Sequence, residues 1–344
     1  MVRLLDVKMM AELIHTHGIE SIFTDIMARL KTDFSNWEKF DKMPRPAFHV
    51  DGGVIELMPV CNDERFSFKY VNGHPKNPNS GKQTVVATGQ LSNVNDGYPI
   101  MISEMTLLTA LRTAGTSALA SDLLAKKDSS TIAIIGTGAQ SEYQTIAHKL
   151  IRDIKEVRYF DIDAKAMDKY ETNMQSNFAG SKVDLIRCDD AQSAVKGADI
   201  IIVCTADKQN ATVLKNEWLE SGQHINALGG DCPGKTELEE TIVQNNKTVV
   251  EFFDQSFIEG EIQKFDEATA RSIVDAEFYE VINGKAIRTS DDDITVFDGV
   301  GIALEDFSAL NVVYELAEKY NIGKNYEMVP DITDPKNLFG VLVD

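Results

Sequence analysis

The chain has 344 residues, of which 43% are hydrophobic, and a net charge of -20. That length suggests two domains with an ample core, and the composition is globular rather than disordered. The acidic balance argues against nucleic acid or anionic membrane as a partner.

Residues 3–42 read as a short strand and a helix, with Ile19, Ile22, Phe23 and Ile26 at helical spacing. Pro44 and Pro46 break this pattern and put Arg45 in a turn or strand entry. From 47 to 103 the chain reads as β structure. VIELMP (54–59), FSFKYV (66–71) and QTVVATGQL (83–91) are rich in β-formers, and Asn95-Asp96-Gly97 signals a turn. Residues 104–127 read as a long helix. Its middle, 113–118, is all small residues and suits close packing, and Arg112 stands just before it.

Asp128-Ser129-Ser130 marks a domain boundary, after which strands and helices alternate. TIAIIG (131–136), VRYFDID (157–163), VDLIR (183–187), DIIIVC (199–204), HINALG (224–229) and TVVEFF (248–253) are apolar strands. Tyr143, Ile146, Ala147, Leu150 and Ile151 stripe one helix between them. This alternation predicts a parallel sheet covered on both faces. ITVFDGVG (294–301) reads as a last strand and glycine turn. The helix after it carries Ala303, Phe307, Leu310, Tyr314 and Ala317 on one face and is expected to return to the first domain. The predicted fold class is α/β: a Rossmann-type doubly wound parallel sheet in 128–317, and an α+β domain formed by 1–127 and 318–344.

Cys61, Cys188, Cys204 and Cys232 form no CxxC pair, a reduced, cytoplasmic pattern. The histidines have no metal-type spacing, so no metal is expected. MVRLLDVKMMAELIH has acids where a secretory signal would be apolar, and no run approaches the ~20 apolar residues of a membrane helix.

Three constellations carry chemistry. A dinucleotide pyrophosphate needs backbone N–H groups at a helix start, reached by a glycine turn after a strand. Gly136-Thr137-Gly138-Ala139-Gln140-Ser141 has that context, with Ser141 in place of the third glycine. Asp161 follows Gly136 by roughly 25 residues, where an acid binds both ribose hydroxyls and repels a 2′-phosphate. This predicts NAD over NADP; Asp163 competes for the role, and Asp161 has the better spacing. Next, NALGGDCPGKT (226–236) sets one carboxylate, Asp231, between paired glycines and a Cys-Pro-Gly turn, a candidate for proton chemistry. Last, Arg45, Lys69 and Arg112 suit a clamp for an amino-acid carboxylate, against the commoner fate of surface ion pairs.

VIELMP, FKYVNGHPKN (68–77), DGYPIMISEMTLLTALRTAGTSALA (96–120), GTGAQSEYQ (136–144), TADK (205–208), NALGGDCPGKTEL (226–238), IEGEIQ (258–263) and TVFDGVGIALEDF (295–307) together resemble the ornithine cyclodeaminase/mu-crystallin family across essentially the whole chain. FKYVNGHP and GGDCPGKTE are specific to its cyclodeaminase side. The resemblance implies conversion of L-ornithine to L-proline and ammonia by internal hydride transfer through tightly held NAD, with an imine intermediate. It implies a homodimer whose first domain, completed by the C-terminal helix, carries the subunit contact and half the active site. By matched position, Arg45, Lys69 and Arg112 are the carboxylate clamp, Glu56, Met58 and Val300 line the substrate pocket, and Asp231 is the catalytic acid/base facing the side-chain amine. Thr84, Arg112, Gly136, Gly138, Ala139, Gln140, Asp161, Thr205, Leu228, Lys235 and Gly299 are the cofactor contacts. Gly299 stands where a serine is common, which removes one side-chain hydrogen bond to the cofactor. The rival readings are a lysine cyclodeaminase, one methylene away, an NAD(P)-dependent imine reductase or amino-acid dehydrogenase of the same family, and a non-catalytic nucleotide-binding member.

Overall fold

The computed structural model describes residues 1–205, 212–230 and 232–343. The chain opens with β1 (Val2–Leu5), α1 (Val7–His17) and α2 (Ile19–Ser35). The single helix expected here is two. Gly18 between them adopts φ +90°, a left-handed value that ends α1 and redirects the chain. β2 (Asp41–Lys42), β3 (Ala47–Val50), β4 (Gly53–Cys61), β5 (Arg65–Gly73), β6 (Val85–Asn93) and β7 (Pro99–Glu104) follow, then α3 (Thr106–Leu124). The second half runs β8 (Thr131–Ile135), α4 (Ser141–Ile151), β9 (Glu156–Phe160), α5 (Ala164–Asn177), β10 (Asp184–Arg187), α6 (Ala191–Val195), β11 (Ile200–Val203) and β12 (His224–Ala227). It continues through α7 (Glu240–Asn245), β13 (Lys247–Val250), α8 (Phe253–Glu259), α9 (Glu267–Ile273), β14 (Val274–Glu277), α10 (Phe278–Ile282), β15 (Thr295–Asp298), α11 (Ala303–Tyr320) and β16 (Lys324–Tyr326).

Two sheets result. The first has order β16-β1-β7-β6-β5-β4-β2, with β3 also on β4; only β1 and β7 pair in parallel. The second is an eight-stranded parallel sheet of order β10-β9-β8-β11-β12-β15-β13-β14. β14, not foreseen as a strand, extends its edge. Its central strands, such as IIIV of β11, are buried at every position, as a sheet covered on both faces requires.

Period-2 alternation on the first sheet turns Val54, Glu56, Met58 and Val60 of β4 inward, with Ser67, Lys69 and Val71 of β5 beside them. α11 packs on this face, and also on α2 and α3. Its expected one-sided pattern is corrected here, because 303–313 are buried all round, Glu305 and Asp306 included. Phe307 and Leu310 are fully buried, worth about 1.5–3 kcal/mol each. The small stretch of α3 packs closely: a Cβ on Gly115 would lie 3.3 Å from Ile26 Cγ2 of α2.

Candidate active site

The carboxyl ends of the parallel strands converge on one edge. The order reverses between β8 and β11, the place where such sheets open a crevice. Gly136 ends β8 with φ +98°, and a Cβ on it would lie 2.9 Å from the Cys204 carbonyl and Thr205 nitrogen, so only glycine fits. A Cβ on Gly138 would meet nothing within 4 Å, which leaves the approach to α4 open. Ser141, in the third-glycine position, is buried, and its Oγ donates to Gly138 O at 2.9 Å. Ala139 is exposed and Gln140 half-buried at the head of α4.

Asp161 follows β9. Its Oδ2 accepts from Thr137 N at 2.6 Å, which places the carboxylate against the glycine turn. Asp163 instead caps α5, its Oδ1 accepting from Lys165 N at 2.9 Å.

Across the edge, the three cations are buried and converge, so the surface ion-pair alternative is set aside. Arg45, between β2 and β3, donates through Nη2 to the carbonyls of Val300 and Gly301, the latter at 2.6 Å. Its Nη1 lies 3.3 Å from Glu56 Oε2 and 3.2 Å from Glu259 Oε2. Lys69 Nζ and Arg112 Nε donate to the same oxygen, Asp306 Oδ1, at 2.8 and 3.0 Å. Arg112 Nη1 donates to Glu305 Oε2 at 2.5 Å. A Cβ on Gly301 would overlap the Arg112 guanidinium. Met58 pairs across the strands with Lys69, beside Glu56 on the same inward face.

Burial and the nearby Arg112 charge lower the Lys69 pKa to about 7, against the opposing pull of Asp306. Burial, then the neighbouring Glu305 carboxylate, raises Glu251 at the end of β13 well above the ordinary range; its Oε2 accepts from Gly301 N at 2.5 Å.

The loop after β12 closes the edge. Asp231 lies outside the described residues, as do Ala206, Asp207 and Lys208 of the TADK stretch. Glu237 packs its carboxylate where a Cβ of Gly229 would stand, and it accepts from Thr205 Oγ1. Buried Lys235 donates through Nζ to Thr205 O at 3.0 Å. Leu228 is partly buried over the β15 turn; a Cβ on Gly299 would lie 2.8 Å from its Cδ2. Burial raises Glu261 to about 7 against the backbone N–H groups it accepts.

Thr84 lies just ahead of β6, where its carbonyl accepts from His74 N at 2.8 Å. Sequence reasoning missed Glu259, Glu305 and Asp306, the acids that pair with Arg45, Lys69 and Arg112, and Glu251, which accepts from Gly301 N. One signal existed: Glu305 and Asp306 sit in the first turn of α11, directly after a glycine turn, where acids suit the helix dipole.

Fold and site together define a doubly wound α/β protein whose carboxyl edge, at the turn after β15, meets a buried cluster of cations. Residues 6–321 match the model of the ornithine cyclodeaminase/mu-crystallin family. The chain is 46% identical to the ornithine cyclodeaminase of Agrobacterium fabrum over 340 residues, 98% of this chain and 94% of that one. It is similar in structure to a lysine cyclodeaminase studied for its recognition of L-lysine, L-ornithine and L-2,4-diaminobutyric acid, with TM-score 0.89 and 27% identity, covering 98% of this chain and 99% of that one. It is also similar to an archaeal alanine dehydrogenase dimer with bound NAD, with TM-score 0.85 and 30% identity, covering 95% and 99%. The chain belongs to the ornithine cyclodeaminase/mu-crystallin family.

Proposed function

We propose that this chain converts L-ornithine to L-proline and ammonia with the help of bound NAD, a step of proline formation. The observation that carries the substrate assignment is the 46% identity to an ornithine cyclodeaminase over 98% of the chain. The geometry adds three buried cations meeting at one turn, enough to hold one amino-acid carboxylate.

The crevice suits NAD. Gly136 brings backbone close, the space above Gly138 is open, and Asp161 stands at the second strand end as a ribose acceptor. In this reading Gly136, Gly138, Ala139, Gln140, Asp161, Thr205, Leu228, Lys235 and Gly299 hold the dinucleotide, with Thr84 and Arg112 reaching it from the first sheet. Bound there, NAD supplies a reversible hydride acceptor for the substrate α-carbon. Arg45, Lys69 and Arg112 hold the α-carboxylate and orient that carbon. Glu56, Met58 and Val300 line the pocket around the side chain. Asp231 accepts the proton of the δ-ammonium and leaves an amine able to close the five-membered ring.

Residues 1–127 and 318–344 then form the substrate-binding and dimerisation unit and 128–317 the NAD unit, with α11, which runs through the 317/318 boundary, packed on the sheet of the first. The outer face of the first sheet exposes Phe48, Leu57, Phe66, Tyr70 and Val86, an apolar face suited to a second copy. We place the enzyme in the cytoplasm as a homodimer, consistent with its four free cysteines. No helix among the described residues is long and apolar enough to cross a membrane.

The deciding experiment incubates purified protein with L-ornithine and sub-stoichiometric NAD. Equal proline and ammonia, many turnovers per NAD and no net NADH are expected. Net NADH would make it a dehydrogenase, and the same pattern with L-lysine alone would move the substrate by one methylene. Asp231→Asn should bind NAD and lose roughly 10²-fold in turnover.

A further inference from the structure

The segment 255–263 contains the IEGEIQ stretch, to which the proposed reaction gives no role. It grips the clamp at one end and the acid loop at the other. At the clamp end, Gln255 Oε1 accepts from Arg45 N at 2.8 Å, while Gln255 Nε2 donates to Glu259 Oε2 at 2.6 Å, the oxygen 3.2 Å from Arg45 Nη1. At the loop end, Glu261 accepts from Glu237 N and Leu238 N at 2.8 and 3.1 Å. Its own N–H donates to Asp298 Oδ2 at 2.9 Å, which ties the segment to the end of β15.

Gln263 makes the tightest hold. Its Oε1 accepts from Gly234 N at 2.6 Å. Its Nε2 lies 2.9 Å from Lys235 O, 3.4 Å from Cys232 O, and 2.9 Å from both Glu259 O and Gly260 O. One amide thus joins the turn after Asp231 to the backbone that carries Glu259. The residue before Asp231 rests on the same segment: a Cβ on Gly230 would lie 3.3 Å from Glu261 Oε1 and 3.6 Å from Glu259 O. Both chain neighbours of Asp231 therefore bear on 259–263.

The geometry points to Gln263 as a positioning residue that fixes the Asp231 loop in register with the Arg45 clamp, an inference that rests on the reading of Asp231 as the acid/base. The turn presents the Cys232 and Lys235 carbonyls and the Gly234 N–H toward Gln263, and a primary amide supplies two donors and an acceptor in one plane to meet them. Loosening the loop by about 1 Å would separate the carboxylate from the amine it serves, a displacement worth roughly 10²-fold in rate.

The test is a double-mutant cycle between Gln263→Met and Asp231→Asn, read as kcat with L-ornithine. Methionine keeps the length of the side chain and removes its hydrogen bonds. Gln263→Met is expected to lower kcat at least tenfold, to change KM less than about threefold, and to have under a twofold effect in the Asp231→Asn background. Gln263→Glu keeps the acceptor toward Gly234 and loses the donors; it should show the same non-additivity. Equal losses in both backgrounds, or a Gln263→Met enzyme with wild-type kcat, would overturn the positioning role while leaving Asp231 in place. Wild-type kcat in Asp231→Asn alone would overturn the acid/base reading, and this role with it. Thermal unfolding of each variant separates a misplaced loop from a misfolded chain, since a change in register leaves the melting point within a few degrees of wild type.

Discussion

Lys69 and Arg112 meet on one oxygen, Asp306 Oδ1, at 2.8 and 3.0 Å, inside a buried cluster. One carboxylate in the first turn of α11 thus holds two cations contributed by different elements, β5 and α3.

Removing that carboxylate should be expensive. Asp306→Asn leaves two buried cations short of their counter-charge, and breaking a buried pair costs about 3 kcal/mol or more. The expected result is an unfolding free energy lowered by that amount, read as a lower urea midpoint with an unchanged slope. An unchanged midpoint would mean that Asp306 contributes packing alone.

In the proposed reading, Lys69 sets a pH limit on substrate capture. Its pKa falls from 10.5 to about 7 in the folded chain, so its charge, and its hold on a carboxylate, is lost as pH rises through about 7. The kcat/KM for L-ornithine should fall by about tenfold per pH unit beyond that point. Lys69→Arg, charged throughout, should flatten this limb even if its absolute rate is lower. The same shift has a stability consequence of defined sign. Between about 7 and 10.5 the unfolded chain binds the proton that the folded chain has released, so the Lys69 contribution to stability rises with pH across this window. A pH-independent kcat/KM between 6 and 9 would refute the assignment of Lys69 to the clamp.

In the proposed reading, Asp161 governs cofactor choice by charge. Asp161→Asn keeps an acceptor for Thr137 N–H, now 2.6 Å from Oδ2, and removes the negative charge that opposes a 2′-phosphate. Calorimetry should show NAD bound about tenfold or more weakly and NADP bound more tightly than by wild type. Equal affinity of the wild-type protein for both nucleotides would sink the argument before any variant is made.

Gly299 and Leu228 are complementary in shape. A serine at 299 would put its Cβ 2.8 Å from Leu228 Cδ2 and 3.0 Å from Phe297 Cε1. Gly299→Ser should destabilise the protein by about 1–3 kcal/mol through overpacking. In a Leu228→Ala background the loss should shrink by half or more, since the obstructing methyl is gone. Additive losses in the two variants would show that Phe297, not Leu228, sets the limit.

By itself the sequence determined the class of fold and the chemical types at the site. Apolar strands alternating with striped helices admit little other than a covered parallel sheet, because each face needs burial and each backbone group a partner. The turn at Gly136 was readable for a similar reason: strand, glycine and helix are neighbours along the chain, and local spacing carries their geometry. The break at Gly18 was not read, because the apolar spacing on either side of it continues a helical pattern, and only the φ of +90° shows the turn. Tertiary structure alone decided how Arg45, Lys69 and Arg112 meet. They come from a loop, a strand and a helix, and apart from Glu56, near Arg45 in the chain, their counter-charges Glu259, Glu305 and Asp306 stand some two hundred residues away. In the sequence an acid beside an apolar helix stripe reads as a solvated face. Here α11 is buried on all sides over 303–313, so the same acids must find cations, and that demand assembles the clamp.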